Sequence, residues 1–230
     1  MNKKALALFG LYSIFLIFSL NTVFAQDFYR FKADYTIKID NRKGKPIMKM
    51  GTVFYDKNQK KLVLKNGFPV KETLVYSDTV TYVLRVGKIF SQFTNLSPVE
   101  FSIFHLALNG NLSNYGLDKV GYSLEEVKRD KGLVIASWVP DNNFYGKLGK
   151  ILIAVKDKEL YSVLFLDLSE KIISKHIFHK YTNINGFVFP TEVVRIFYKD
   201  DEEFYEVSTY RNIKINETGN DEYYNIQIPQ

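Results

Sequence analysis

The feature that most constrains this chain is the alternation that begins at Tyr29. Tyr29, Phe31, Ala33, Tyr35, Ile37 and Ile39 are apolar or aromatic, and Arg30, Lys32, Asp34, Thr36 and Lys38 between them are polar. Strict period-two alternation over such a length describes a long strand with one face on apolar matter and the other in water. Asn41–Lys45 turns the chain into a second strand, Ile47–Tyr55, and Asp56-Lys57-Asn58 turns it into a third, Lys61–Leu64. A one-sided antiparallel meander of this kind needs an apolar cover for its inner face. The identity of that cover is the functional question.

The rest of the chain continues in the same style. Asn66-Gly67 and Pro69 break the pattern, and Thr73–Ser77, Thr79–Arg85 and Lys88–Thr94 read as short strands. Ser97-Pro98 then opens a helix over Val99–Leu108, with Ser97 as N-cap, Pro98 at the first helical position and Glu100 in the first turn. Phe101, Ile103, Phe104, Leu106 and Leu108 leave that helix scarcely any polar face, so it is expected to be buried on several sides, against the concave face of the sheet. Asn114–Lys119 reads as a short second helix or a turn. Strands follow at Tyr122–Arg129, Leu133–Val139, Lys150–Lys156, Leu160–Asp167, Ile172–Tyr181, Val188–Tyr198 and Glu203–Ile215, with a further one at Tyr223–Ile228; Pro190 belongs at an edge or bulge. The expectation is a mainly β chain: about ten to twelve antiparallel strands in a closed or half-open barrel around one or two helices.

The N-terminus reads differently. Lys3 and Lys4 precede an uncharged run from Ala5 to Leu20, and Val23 and Ala25 fit the small-residue positions of a signal-peptidase site. Residues 1–25 are therefore expected to be a cleaved secretory signal, followed by a single domain over 26–230. The full chain carries a net charge of +6 with no Lys/Arg block, which gives nucleic acid little to bind. It has no cysteine, so it cannot be a lipoprotein itself, and a secreted chain of this size without disulfides fits a bacterial periplasm.

No catalytic constellation emerges. There is no thiol nucleophile, no Gly-x-Ser-x-Gly and no phosphate-cradling glycine loop. Of the three histidines, His176 and His179 are three apart in an expected strand and point to opposite faces, which does not suit a shared metal. Glu125-Glu126 alternates across a strand, and the acids from Asp200 to Glu203 form a hairpin tip. No enzyme activity, cofactor or metal is expected. What remains is aromatic surface: 19 Phe, 16 Tyr and a single Trp, Trp138, which is either a core residue or part of a cavity wall. Phe101 and Phe104 could form a lid over a lipid-sized cavity.

The order of elements resembles a known family. A signal ending in Ala25-Gln26 precedes a long first strand containing Phe31-Lys-Ala-Asp-Tyr35, and a Gly-led second strand, Gly51-Thr-Val-Phe-Tyr55, follows. Then come Asn66-Gly-Phe-Pro69, Tyr76-Ser-Asp-Thr-Val-Thr-Tyr82 and the apolar Pro-led helix. The tail has Asn185-Gly-Phe-Val-Phe-Pro190, Arg211-Asn-Ile-Lys-Ile-Asn216 and Tyr224-Asn-Ile-Gln-Ile-Pro229. This arrangement resembles the LolA-like periplasmic lipoprotein carriers and the related LolB-like acceptors. The resemblance implies a half-open barrel whose apolar cavity shields the acyl chains of lipoproteins or lipids. Cargo would come from an inner-membrane ABC exporter and leave at the outer membrane. The alternative is a non-catalytic LolA-like subunit of an outer-membrane transport or secretion complex. The acceptors carry a lipidated cysteine that this chain lacks, and Arg30 falls on the polar face, away from the lid role of the carriers' early-strand arginine. The inward candidates are Phe31, Tyr35, Ile37, Phe54, Leu64, Tyr82, Leu84, Phe101, Phe104, Trp138 and Phe165.

Overall fold

A computed structural model describes residues 27–40, 45–94, 98–142, 146, 148–199 and 202–229. The expected signal, residues 1–25, and the expected N-cap Ser97 lie outside them.

The first meander consists of β1 (Arg30–Asp40), β2 (Ile47–Asp56), β3 (Lys61–Phe68), β4 (Glu72–Ser77), β5 (Val80–Arg85) and β6 (Lys88–Thr94). The second consists of β7 (Tyr122–Asp130), β8 (Leu133–Pro140), β9 (Ile151–Lys156), β10 (Glu159–Leu166), β11 (Ile172–Ile184), β12 (Phe187–Lys199) and β13 (Glu202–Ile215). Together they form one antiparallel sheet of 13 strands, in the order β6-β5-β4-β3-β2-β1-β13-β12-β11-β10-β9-β8-β7. The first and last strands meet in the middle, and β6 and β7 are the two free edges. The sheet is open, with more strands than the sequence led one to expect.

The alternation in β1 sets the two faces. Phe31, Ala33 and Tyr35 are buried, and opposite them in β2 stand Tyr55, Val53 and Gly51. The segment between the edge strands lies on this concave face. It begins with a 3-10 turn at Val99–Phe101, continues as the short helix α1 (Ile103–Leu108) and ends with a second 3-10 turn at Leu117–Lys119. The expected continuous helix is thus broken at Ser102, whose extended backbone makes it the N-cap; its Oγ accepts a hydrogen bond from the His105 N–H at 3.3 Å.

The other face of β2–β5 is also covered. Tyr223–Ile228, expected as a strand, instead lies against this outer face, its first two residues completing the one-turn helix α2 (Asp221–Tyr224). Tyr223 stacks on Phe54 with ring centres 4.7 Å apart, and Tyr224 is buried beneath the Arg30 guanidinium, 4.4 Å from its ring centre. Arg30 also pairs with Asp56 at 2.9 Å and Asp221 at 2.8 Å, which holds its already high pKa higher still. This double cover explains why Val53, Phe54 and Tyr55 are all buried in succession. Pro190 pairs with Tyr181 of β11 but lies before the β12–β13 ladder, which starts at Glu192. Its missing N–H therefore breaks no bond to β13.

Candidate functional site

The concave face gathers two buried clusters under and beside α1. In the first, Phe104 is the hub: its ring lies 5.0 Å from Phe31, 5.5 Å from Tyr210 and 6.0 Å from Phe189. Ala107 and Leu108 pack into the same cluster, while Leu106 turns to the second, with Tyr115, Ile153, Val163 and Phe178. Ile103 touches both. A short helix with apolar residues all round can bridge two clusters in this way, because every side of it finds an apolar partner.

Polar groups are threaded between the rings. The Tyr55 hydroxyl and His105 Nδ1 are 2.6 Å apart, and burial pushes the His105 pKa down. Deeper in the second half, Tyr115 meets His176 Nδ1 at 3.3 Å, and Arg195, cross-strand partner of His176, pairs with Glu206 at 3.4 Å. Burial pushes the Tyr210 hydroxyl up strongly, and takes Tyr76 to about 12, Glu206 adding to both. Towards the first edge, Tyr35 donates to Asn66, Asn66 donates to Glu72 at 3.3 Å, and Arg85 closes on Glu72 at 3.0 Å. The concave wall is therefore aromatic, with the half-exposed, internally neutralised ion pair Arg195–Glu206 in its second half and Arg85–Glu72 towards the first edge.

Burial pushes His176 down to about 4, with Arg195 adding to the effect. The unfolded chain takes up this proton near the ordinary value of 6.5 and the folded one only near 4, so stability is lost as pH falls through that window and levels off below it. Allowing for partial exposure, the loss is on the order of 2 kcal/mol. Urea unfolding at pH 7 and pH 4.5 should show that loss in the wild-type chain. His176→Gln should flatten the contribution, and an unchanged pH slope in that variant would sink the assignment.

The inward candidates divide. Phe31, Tyr35, Ile37, Leu64 and Phe104 share the first cluster, and Phe101, Trp138 and Phe165 pack against the second. Phe54, Tyr82 and Leu84 are a correction: they belong to the outer face, packed with Tyr224. The physical reason is register, since Phe54 stands opposite Lys32 of the polar face of β1 and Tyr82 opposite Val75 of the outer cluster. His176 packs near Tyr115 and Phe165, whereas His179 meets Tyr161. Arg195, Glu206, Tyr76 and Tyr210 were not anticipated at all. The signal for Arg195, Glu206 and Tyr210 was the same alternation in β12 and β13, where a charged residue on an otherwise apolar parity is easy to pass over; that for Tyr76 was the alternation of β4.

Two cavities adjoin the packed clusters. One of about 340 Å³ opens at the C-terminal end of α1, between Phe28, Ala107, Leu108, Leu112, Leu160 and Phe187. A larger one of about 730 Å³ lies outside the sheet, between β2–β5 and the C-terminal segment. Among the described residues no cluster of three or more His, Cys, Asp or Glu side chains could hold a metal ion, and no helix is long and apolar enough to cross a membrane.

This open antiparallel sheet, with its short apolar helix on one face, is LolA-like in fold. Three solved structures share it across most of their length. A LolA superfamily protein from Nitrosomonas europaea superposes with a TM-score of 0.57 at 13% identity, covering 87% of this chain and 91% of that one. A DUF1329 family protein from Desulfovibrio piger gives 0.58 at 15% identity, covering 91% and 93%. A domain assigned to outer membrane lipoprotein sorting, from Vibrio parahaemolyticus, gives 0.51 at 9% identity, covering 85% and 89%. No protein-family model and no curated protein matches the sequence. At these identities the likeness establishes the fold.

Proposed function

We propose that this chain is a non-catalytic carrier that shields the acyl chains of lipoproteins or lipids against its concave face, in the periplasm, on the way to the outer membrane. In this reading residues 1–25 are a cleaved signal, 26–230 form one working domain, no cofactor is needed, and an inner-membrane ABC exporter supplies the cargo. The observation that carries it is the seat of α1: Phe104 sits among aromatic rings on the concave face, with an apolar cavity at the helix end. Phe31, Ala33 and Phe189 have no exposed surface, so an acyl chain reaches them only when α1 lifts. The exchange is energetically reasonable. Each methylene withdrawn from water contributes about 0.8 kcal/mol, so one long chain contributes on the order of 10 kcal/mol towards displacing the helix.

Native mass spectrometry of the chain purified from a periplasm, with lipid extraction, tests this directly. Co-purified acyl species that are displaced by added lipoprotein are expected. Phe101→Asp, at the half-buried approach to α1, should weaken binding of a fluorescent fatty-acid probe by about tenfold or more while leaving the β circular-dichroism signal intact. Binding unchanged by that variant would count against the lid. A second reading, a fixed non-catalytic subunit of an outer-membrane transport or secretion complex, draws on β6, an unpaired edge along which every residue is exposed. An empty monomer that co-purifies stably with outer-membrane proteins would favour it.

A further inference from the structure

Five strands bring their turns to one end of the sheet. β2 begins there at Ile47, β3 ends at Phe68, β4 begins at Glu72, β5 ends at Arg85 and β6 begins at Lys88. The cross-strand pairs Met50–Phe68 and Arg85–Lys88 mark this end. The cavity of about 730 Å³ has Gly67, Lys71, Val86 and Gly87 in its lining, which places the β3–β4 and β5–β6 turns on one continuous surface.

The side chains at this end are unusual for a surface in water. Val86 is 100% exposed, Phe90 61%, Phe68 45% and Val70 43%. The turns at the opposite end of the same strands, between Asp56 and Lys61 and between Ser77 and Val80, have no exposed large hydrophobic residue. Val86 also sits at φ +50°, in a hairpin turn that favours Asn, Asp or Gly. A β-branched, fully exposed residue there serves neither the turn nor a core. Exposed lysines surround these tips: Lys45, Lys65, Lys71 and Lys88. Segments 45–50, 65–71 and 86–90 contain no Asp or Glu, and Glu72 is neutralised by Arg85 at 3.0 Å.

We infer that this end of β2–β6 docks onto the surface of an anionic lipid bilayer. The apolar side chains stand at the tips of separate turns, a form suited to entering the headgroup layer, and the lysines around them meet the lipid phosphates. Glu202 and Glu203, at the same end but across β1, carry the opposite charge and orient the molecule so that the β2–β6 half approaches first. The surface lies apart from the concave site and does not depend on what that site carries.

The test is flotation of the chain starting at Gln26 with vesicles of phosphatidylcholine containing about 30% phosphatidylglycerol. Binding is expected to these vesicles, to fall with added salt, and to be absent with pure phosphatidylcholine. Val86→Asn combined with Phe90→Ser should reduce the partition coefficient by about tenfold or more. Val86→Asn alone should keep or raise Tm, because Asn suits the turn; a purely structural role for Val86 would lower it. Lys71→Glu with Lys88→Glu should weaken vesicle binding similarly. None of these variants touches α1, so fatty-acid-probe binding should persist in all of them. Absence of binding to anionic vesicles, or undiminished binding by the Val86/Phe90 variant, overturns the assignment.

Discussion

Phe104→Ala is expected to cost about 3–5 kcal/mol of stability in urea unfolding, the most of any single truncation on the concave face. Phe104 is 5% exposed, and its ring contacts Phe31, Phe189 and Tyr210 from three directions. Truncation removes the ring and leaves a hole that α1, held by Ser102 at its start and by Leu106 in the second cluster, cannot easily collapse into. In a chain of this size each kcal/mol moves Tm by about 2–4 °C. If the concave face holds acyl chains, a long-chain ligand should also restore part of the loss by filling the vacated space. A loss below about 1 kcal/mol would show that the ring is not seated in a packed interior.

Gly51→Ala should do comparable damage by a different route. Gly51 lies in β2 where the pairing with β3 shifts, opposite Asn66, with Met50 opposite Phe68. A Cβ at Gly51 would stand 2.1 Å from the Lys65 carbonyl oxygen and 2.9 Å from its carbonyl carbon. Because these are backbone atoms of the neighbouring strand, no rotamer change relieves the clash, and the two strands must separate. The expected loss is roughly 4 kcal/mol, with the buried Tyr35–Asn66 contact disturbed and visible in near-ultraviolet tyrosine circular dichroism. Gly67→Ala is the control, since a Cβ there meets nothing nearer than the Met50 oxygen at 3.8 Å. Equal stability of the Gly51 and Gly67 variants would refute the close approach.

Much of the architecture was readable because β1 alternates so strictly. Phe31, Tyr35 and Ile37 could be assigned to a single face from parity alone, and the apolar segment Val99–Leu108 had to cover something. The relation between strands was harder. Phe54 lies next to Val53 and Tyr55, and which parity of β2 joins the concave face depends on the register set across the β1–β2 turn. Tyr82 and Leu84 alternate with Thr81 and Val83, so the apolar parity of β5 looked inward when it is in fact the side covered by Tyr224. The tail misled for a related reason. Tyr223–Ile228 has strand-like composition, but with β1 already flanked by β2 and β13 it has no place beside β1 and packs its apolar residues onto the outer face instead. The interior polar groups Arg195, Glu206 and His176 were out of reach because cross-strand pairs are properties of register, which single-strand patterns do not encode.

The adjacency of β1 and β13 has a mechanical consequence. Phe31 pairs with Ile215 at one end of this ladder and Asp40 with Tyr205 at the other, so the start of β1 and the finish of β13 lie side by side. Tension applied at these two adjacent points, Phe31 and Ile215, would load the ladder's hydrogen bonds one after another, as in a zipper, rather than all together as in a shear. The seam between the meanders, although central and flanked by buried aromatics, is thus the place where such a force would part the molecule into two halves, tethered through the segment bearing α1 and bridged by the C-terminal segment packed on the outer face of β2–β5.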